Sequence, residues 1–347
     1  MNNQLNSYFP QLDVLRACAA LSIVILHWSI NSKIDFGFLH YGVQLFFVIS
    51  GFLITNVLLH EKERNSNKTS AIKIFFIRRV LRLVPIYYLF LLFLIIIKDA
   101  YVNNNILWFL FYLNNLKVFF ENGIIDAWSN HTWSLSIEEQ FYLLFPTIIL
   151  FIKKNKAVFV PLIFILIGYT TKIIGYAYNI SNIELFTLTQ TDMLGCGILL
   201  AVIWRNYPEL TRLNQSLISW LAGSLLLLSI LLHYYGNSFT QILILPVTLM
   251  ISFTLLVYKT YIGFTGWLGY LFSNKYLRYI GTISYGIYLY HKVIPLFLNR
   301  ILNKLSIELN NPVYYYLINA LILFVIAHFS WQFIELPILS IKKRFKY

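Results

Sequence analysis

Apolar runs separated by short polar or basic connections dominate the pattern of this chain. Ten runs approach the length of about 20 residues that an α-helix needs to cross a bilayer. Two shorter runs, 106–120 and 261–272, are interrupted by Asn114-Asn115 or by glycines and predict interfacial or re-entrant pieces. The pattern predicts an all-α, polytopic transmembrane helix bundle with about ten crossings, at 12–30, 40–59, 80–97, 134–152, 157–178, 193–204, 217–235, 242–258, 276–298 and 314–333.

Basic residues are distributed unequally between the two sides that this pattern defines. With a cytoplasmic N-terminus, nineteen Lys and Arg residues fall in the inner connections and five in the outer ones. Cytoplasmic loops normally carry this excess, so we expect an N-in, C-in protein of the cell membrane. The net charge of +13 comes from these clusters and not from a basic amphipathic surface, so we expect membrane lipid and no nucleic acid as partner.

The composition supports a single membrane domain over residues 1–347. Apolar residues make up 59% of the chain and charged residues 12%, and no internal repeat or long linker divides it. The N-terminal segment lacks the basic start of a cleavable signal, so we expect the first helix to be retained. Cys18 and Cys196 both lie in apolar runs, which favours free thiols over a disulfide framework.

The first apolar run carries ionisable residues where lipid-facing ones would be expected. Arg16 and His27 are eleven residues apart, so they lie on nearly the same helix face, about 16 Å apart along the axis. Intramembrane charges are costly and usually face a bundle interior or a pathway. The alternative is an Asp13–Arg16 pair at i, i+3 with a helix-packing histidine. We favour a functional site, in which His27 serves as a general base near neutral pH.

A second polar stretch, residues 131–142, begins the fourth predicted crossing. On a helix, Ser134, Glu138 and Tyr142 share one face. Glu138 is suited to orienting an imidazole such as His27, as carboxylates do in hydrolytic triads. Glu139 instead fits a capping box with Ser136. The alternative for the stretch is ordinary solvation at the membrane boundary. Its further substrate-side candidates are His131, Trp133 and Ser134, of which Trp133 also fits an aromatic belt.

Arginines open the third predicted crossing on the cytoplasmic side. Arg79 and Arg82 lie at i, i+3, and arginine pairs bind phosphate through charge-assisted, often bidentate contacts. Positive-inside anchoring would select the same residues, so charge alone leaves both interpretations open. In the second crossing, Ser50-Gly51 favours close helix packing. We nevertheless include Ser50 among the candidate donor-binding residues.

Two isolated polar residues complete the candidates. Asp192 begins the sixth crossing and His291 lies in the ninth. The alternative interpretations are a helix cap for Asp192 and a satisfied bundle histidine for His291. Both are candidates on the substrate side. No His, Cys and carboxylate set shows zinc-type spacing, so we expect no metal site.

Taken together, these stretches resemble the bacterial acyltransferase 3 family, integral membrane enzymes that O-acylate cell-envelope glycans. Arg16 and His27 match its Arg-x10-His helix, and Arg79 and Arg82 match its Arg-x-x-Arg element. Further similarity lies in a GVxxFFxxSGF stretch at 42–52, an HxWSLxxEEQFY signature at 131–142, a SYGIYLYH-like helix at 283–291 and a C-terminal ending at 333–337.

The resemblance implies transfer of an acyl group, usually acetyl from cytoplasmic acetyl-CoA, to a sugar hydroxyl outside the membrane. The acceptor would be an envelope polysaccharide, such as lipopolysaccharide, or a lipid-linked glycan. Arg79 and Arg82 would hold the phosphates of coenzyme A, and Arg16 would guide the thioester. His27, assisted by Glu138, would deprotonate the acceptor, or become transiently acylated. Acyl-CoA is then a donor substrate, and no permanently bound cofactor is expected.

Some alternatives stay open at this point. Some relatives carry a C-terminal SGNH-type domain, which we do not expect here, so a separate extracytoplasmic transferase is a possible partner. A transporter or flippase of an envelope lipid or acylated sugar would also place charges inside the membrane, but it predicts inverted repeats, which the sequence lacks. A structural scaffold would leave the polar motifs without a reason.

Overall fold

Helices account for all regular secondary structure in the described part of the computed structural model, which comprises residues 9–29, 34–64, 67–121, 128–206, 214–309 and 311–341. The α-helices are α1 (Pro10–Trp28), α2 (Gly42–Arg64), α3 (Lys68–Ile96), α4 (Ala100–Asn104), α5 (Ile106–Leu110), α6 (Asn114–Phe120), α7 (Trp133–Phe151), α8 (Phe159–Ala177), α9 (Thr191–Asn206), α10 (Gln215–Tyr235), α11 (Leu245–Ile262), α12 (Gly266–Phe272), α13 (Lys275–Thr282), α14 (Ser284–Tyr290), α15 (Val293–Leu305), α16 (Pro312–Ser330) and α17 (Leu336–Ile341).

The predicted helical membrane bundle is confirmed. Within the described residues, eight helices are long and apolar enough to cross a bilayer, and they coincide with eight of the predicted crossings. The crossing predicted at 134–152 is the single helix α7, whose first half carries residues 133–142 of the polar stretch, while His131 and Thr132 lie in the turn before it. The number of crossings and the N-in, C-in orientation stay predictions.

The predicted crossing at 276–298 is the one place where a continuous helix is wrong. The chain there forms three shorter helices, α13, α14 and α15, and the last break falls at His291-Lys292. Pro295 has no N–H, so it cannot donate to the carbonyl oxygen of His291 four residues earlier. The indole Nε1 of Trp28 on α1 donates to that oxygen instead, over 2.8 Å. The break therefore fastens the end of α1 to the start of α15.

Close packing of α2 on α9 forms the centre of the bundle. A Cβ atom at Gly51 would lie 2.3 Å from the carbonyl oxygen of Leu194, and one at Gly197 would lie 2.1 Å from that of Val48. Neither contact leaves room for a side chain, so the glycines permit the two backbones to approach. The packing expected at Ser50-Gly51 is thus present, and it fixes α2 beside the other helices that line the site.

The two predicted short pieces form short helices, and their interfacial or re-entrant placement stays a prediction. Run 106–120 forms α5 and α6, and the second piece contains α12. Asn114 on α6 is fully buried; its amide donates to Thr132 over 2.9 Å, and its side-chain oxygen accepts a hydrogen bond from Ser136. Because α7 begins at Trp133, Ser136 lies inside the helix, so the predicted capping box with Glu139 is wrong.

The predicted orientation can be tested with two reporter fusions. A fusion after Lys68, at the start of α3, should report a cytoplasmic position, and one after Ile125 an external position. Ile125 lies outside the described residues. Paired phosphatase and fluorescent-protein reporters measure the two sides independently. The same side for both fusions would contradict the orientation and the sidedness of the site.

Candidate active site

A cavity of about 290 Å³ opens between α1, α2, α3, α7 and α14. It gathers residues that the sequence presents in separate motifs. Glu138 and Ser134 line it, and so does every predicted donor-binding residue: Arg16, Ser50, Arg79 and Arg82. The remaining wall is largely aromatic and aliphatic. The cavity therefore combines charged groups with an apolar lining, as small-molecule sites commonly do.

Hydrogen bonds connect α2 to the predicted face of α7. The hydroxyl of Ser50 donates to Glu138 Oε1 over 2.5 Å, and the hydroxyl of Tyr142 donates to Ser50 Oγ over 3.2 Å. The guanidinium of Arg79 lies 4.7 Å from the centre of the Tyr142 ring, within cation–π range. Since Ser134, Glu138 and Tyr142 all line the cavity, their predicted common face is confirmed.

Positive charge predominates in this cavity. Among the described residues, Glu138 is the one carboxylate in its lining. Four arginines line it: Arg16, Arg78, Arg79 and Arg82. Asp13 lies 3.6 Å from the guanidinium of Arg16, so the predicted i, i+3 pair is present and partly offsets one charge. The guanidinium groups of Arg79 and Arg82 suit a ligand that carries several negative charges, such as a polyphosphate.

A cluster of three histidines lies beside the cavity. His27 Nδ1 is 2.7 Å from His291 Nε2, and the two rings stack with centres 4.9 Å apart. The ring of His131 packs edge-on against His291 at 4.8 Å. His131 and His291 are fully enclosed, whereas His27 is partly exposed at the end of α1. Of the three, His27 is therefore the histidine that a substrate can reach.

Backbone carbonyl groups set the protonation of these rings. His291 Nδ1 lies 2.6 Å from the carbonyl oxygen of Tyr288, which can only accept, so Nδ1 carries the hydrogen. A neutral His291 then has a free lone pair on Nε2, and His27 Nδ1 must be the donor to it. The other nitrogen of His27, Nε2, is left unprotonated. This is the form that a general base or a nucleophile requires.

Tyr288 connects the cavity with the histidine cluster. Its ring lines the cavity, and its hydroxyl donates to the carbonyl oxygen of His131 over 2.8 Å. Because that hydroxyl has a single hydrogen, Ser134 must donate in the 2.6 Å contact between the two hydroxyl groups. One end of the cavity thus borders the residues that hold His131 and His291.

The structure corrects one predicted contact. Glu138 does not pair with His27; it accepts from Ser50 in the arginine-lined cavity, and His291 is the partner of His27. A histidine nitrogen thus occupies the orienting place that we predicted for a carboxylate. The signal that could have found it was the SYGIYLYH-like stretch, which also supplies Ser284, Tyr285 and Tyr288 to the cavity wall.

Two other predicted residues lie outside this cavity. Trp133 is buried against Phe47, with ring centres 6.4 Å apart, so it does not belong to an aromatic belt. Asp192 is fully buried at the start of α9, where it forms an ion pair with Lys172 on α8. The described residues contain no group of three His, Cys, Asp or Glu side chains placed to hold a metal ion.

Comparison with known proteins places the chain in a family. The family model described as an acyltransferase domain, that of acyltransferase 3, matches residues 9–331. A Staphylococcus aureus protein that is provisionally named an O-acetyltransferase is 32% identical over 95% of this chain and 57% of its own length. The peptidoglycan O-acetyltransferase OatA of Listeria monocytogenes is 32% identical over 95% of this chain and 56% of its own. No solved structure matches.

The chain spans a little over half the length of these curated relatives. The family match over residues 9–331 includes the residues of the arginine-lined cavity and of the histidine cluster. The residue motifs, the helical membrane bundle and the family match agree, and the chain belongs to the acyltransferase 3 family of integral membrane proteins.

Proposed function

We propose that this protein transfers an acetyl group from acetyl-CoA on the cytoplasmic side to a sugar hydroxyl of an envelope glycan on the outer side. The observation that carries the proposal is that the arginine-lined cavity ends at Tyr288, next to the histidine cluster. Arg79 and Arg82 line it, and Tyr288 joins it to the His27–His291 pair. Relatives provisionally or formally named O-acetyltransferases support the reaction type.

The arginines account for binding of the donor. Coenzyme A carries phosphates at one end and its thioester at the other, and Arg79, Arg82 and the neighbouring Arg78 offer guanidinium groups for those phosphates. The ring of Tyr142 holds the guanidinium of Arg79 in place through a cation–π contact. Arg16 extends the positive lining along α1. The aromatic wall then takes the less polar arm that leads to the thioester.

His27 provides the chemistry. Its free Nε2 removes the proton from the acceptor hydroxyl, and the resulting oxygen attacks the thioester carbonyl. The new C–O bond forms, the C–S bond breaks, and the departing thiolate takes the proton from the His27 imidazolium. His291 accepts from Nδ1–H throughout, which orients the ring and stabilises its charged form.

A second route fits the same atoms. His27 Nε2 attacks the thioester, the thiolate leaves, and the acetyl group passes from the imidazole to the acceptor oxygen. Mass spectrometry of protein quenched in acid, after mixing with acetyl-CoA in the absence of acceptor, distinguishes the routes. A mass increase of one acetyl group on the α1 peptide indicates the acyl-histidine route, and none indicates direct transfer.

The overall proposal is tested on the surface glycan itself. Mass spectrometry should find O-acetyl esters in the parent strain, and deletion of the gene should remove them. Restoration of the wild-type gene should return them. An unchanged ester content after deletion would contradict the acceptor side of the proposal, whereas a lipid-export defect with normal acetylation would favour the flippase alternative.

Replacing His291 tests its role as the positioning residue for His27. His291→Leu removes the acceptor for His27 Nδ1–H, so we expect kcat to fall by about a hundredfold with an unchanged KM for the donor. His291→Gln keeps an acceptor oxygen at this place and should recover part of the rate. Steady-state kinetics in nanodiscs measures both. Equal rates for the Leu and Gln variants would indicate a packing role alone.

A further inference from the structure

A second cleft, of about 430 Å³, lies near the His27 end of α1. None of its lining residues takes part in the reaction steps proposed above. It lies among the beginnings of α2 and α11 and the end of α8. Its polar lining consists of His40, Gln44, Lys172, Asn179, Glu184 and Gln241. Its volume lies within the range of about 300–1,000 Å³ that is usual for small-molecule sites. We name it the second cleft.

An unpartnered atom in its wall indicates the chemistry of the ligand. Gln44 is 8% exposed, and its Oε1 has no hydrogen-bond partner among the described residues. Leaving a buried acceptor unsatisfied costs free energy, so a ligand that donates a hydrogen bond to it binds more tightly. The carboxylate of Glu184 adds further acceptor oxygens to the same wall. The ligand expected here is rich in O–H or N–H groups.

The charges in the second cleft disfavour an anionic ligand. Lys172, the one lysine among its described lining residues, forms an ion pair with the fully buried carboxylate of Asp192. Asp192, predicted as a substrate-side residue, therefore lies behind the wall and does not line the second cleft. Glu184 would repel a phosphate or a sulfate. The rings of Tyr41 and Tyr176 and an aliphatic floor offer faces for C–H groups. A sugar ring presents hydroxyl groups at its edge and C–H groups on its faces, so it matches both kinds of wall.

The walls are built in advance of any ligand. Gln241 Nε2 donates to the carbonyl oxygen of His233 over 2.8 Å, and Tyr169 on α8 donates to that of Leu243 over 3.0 Å. Gln190 Nε2 holds the carbonyl oxygen of Glu184 at 2.8 Å. Because these bonds fix each side of the second cleft, little ordering would be needed on binding.

The second cleft also lies close to the catalytic histidine. His40 lines it from the short helical turn 37–41, which packs against α1, the helix that carries His27. The following helix, α2, starts against α1, where a Cβ at Gly42 would lie 2.8 Å from the carbonyl oxygen of Ala19. A sugar held by Gln44 and Glu184 would therefore be positioned to place one hydroxyl toward His27. We propose that the second cleft binds the glycan acceptor, an inference that rests on the proposed function and adds the acceptor subsite to it.

The proposal is tested by binding alone, without any acetyl donor. The probe is the β-1,4-linked tetramer of N-acetylglucosamine, titrated calorimetrically into full-length protein in phosphatidylcholine nanodiscs. We expect saturable binding by the wild type and an affinity at least about tenfold weaker for Gln44→Leu. Thermal unfolding of this variant should occur at the same or a higher temperature, because the substitution removes an unsatisfied buried oxygen.

Thr55→Val is the matched control. It removes another buried, unpartnered oxygen from α2 but lies in neither cavity, so it should bind the tetramer like the wild type. Glu184→Ala, at a partly exposed position, provides a second cleft variant and should also weaken binding. His27→Ala should bind normally while failing to transfer acetyl, so loss of the acceptor subsite and loss of the reaction are distinguishable.

Three results would overturn the proposal. One is the absence of tetramer binding by the wild type. Another is unchanged affinity in both Gln44→Leu and Glu184→Ala. The third is binding that disappears when phosphatidylglycerol is added to the nanodiscs, which would identify the second cleft as a lipid headgroup site.

Discussion

His27→Ala should reduce acetyl transfer by a factor of about 10²–10⁴ while the protein still inserts and folds. The substitution removes the one histidine of the cluster that is partly exposed, and with it the unprotonated Nε2 on which the proposed reaction depends. Both routes, general base and acyl-histidine, require this atom. O-acetyl content of the surface glycan and single-turnover transfer in nanodiscs measure the effect at two levels.

His328→Ala is the control for this experiment. His328 lies on α16, bonds to Tyr279, and touches neither the cavity nor the cluster in the described structure, so its loss should leave transfer close to wild type. Unfolding temperature and membrane yield should be compared for both variants. Full acetylation by a correctly inserted His27→Ala protein would disprove the catalytic assignment.

The double variant Arg79→Ala/Arg82→Ala should raise the KM for acetyl-CoA by about a hundredfold or more, with unchanged membrane insertion. A hydrogen bond to a charged group contributes about 1.5–3 kcal/mol, so the loss of two phosphate contacts accounts for this factor. Both arginines line the cavity, and Arg79 also stacks on Tyr142. Initial rates over a range of donor concentrations measure KM and kcat separately.

Arg64→Ala is the matched control for charge. Arg64 is exposed at the end of α2, at the same predicted cytoplasmic surface, and is absent from the cavity wall. Its removal should leave donor dependence unchanged. If the double variant also retained wild-type KM, the arginines would be needed for topology alone, and the donor would have to enter by another path.

Most of the fold and the donor side of the site follow from local pattern. Run lengths predicted the membrane helices because the bilayer thickness sets their length. The i, i+4 period placed Ser134, Glu138 and Tyr142 on one face, and the structure confirms that face. Arg16 was identified because charge inside a membrane segment is costly and needs a reason. Arg79 and Arg82 were identified because an arginine pair at i, i+3 suits phosphate.

The break in the ninth predicted crossing could not be located from hydropathy. Residues 276–298 are uniformly apolar enough to suggest one helix, yet Pro295 frees the carbonyl oxygen of His291 and Trp28 takes the bond. Pro295 was visible in the sequence, but the donor that makes the break stable comes from a helix more than 260 residues away.

Tertiary structure alone decided which polar residues meet. His27 and His291 are separated by 264 residues, and Glu138 and Ser50 by 88, so no periodicity relates them. A helix face tells where a side chain points relative to its own axis, but the partner depends on how the helices pack. The sequence by itself determined a membrane bundle with charged faces. Packing at Gly51 and Gly197 and the break at His291 decided that a histidine, and not a carboxylate, orients His27.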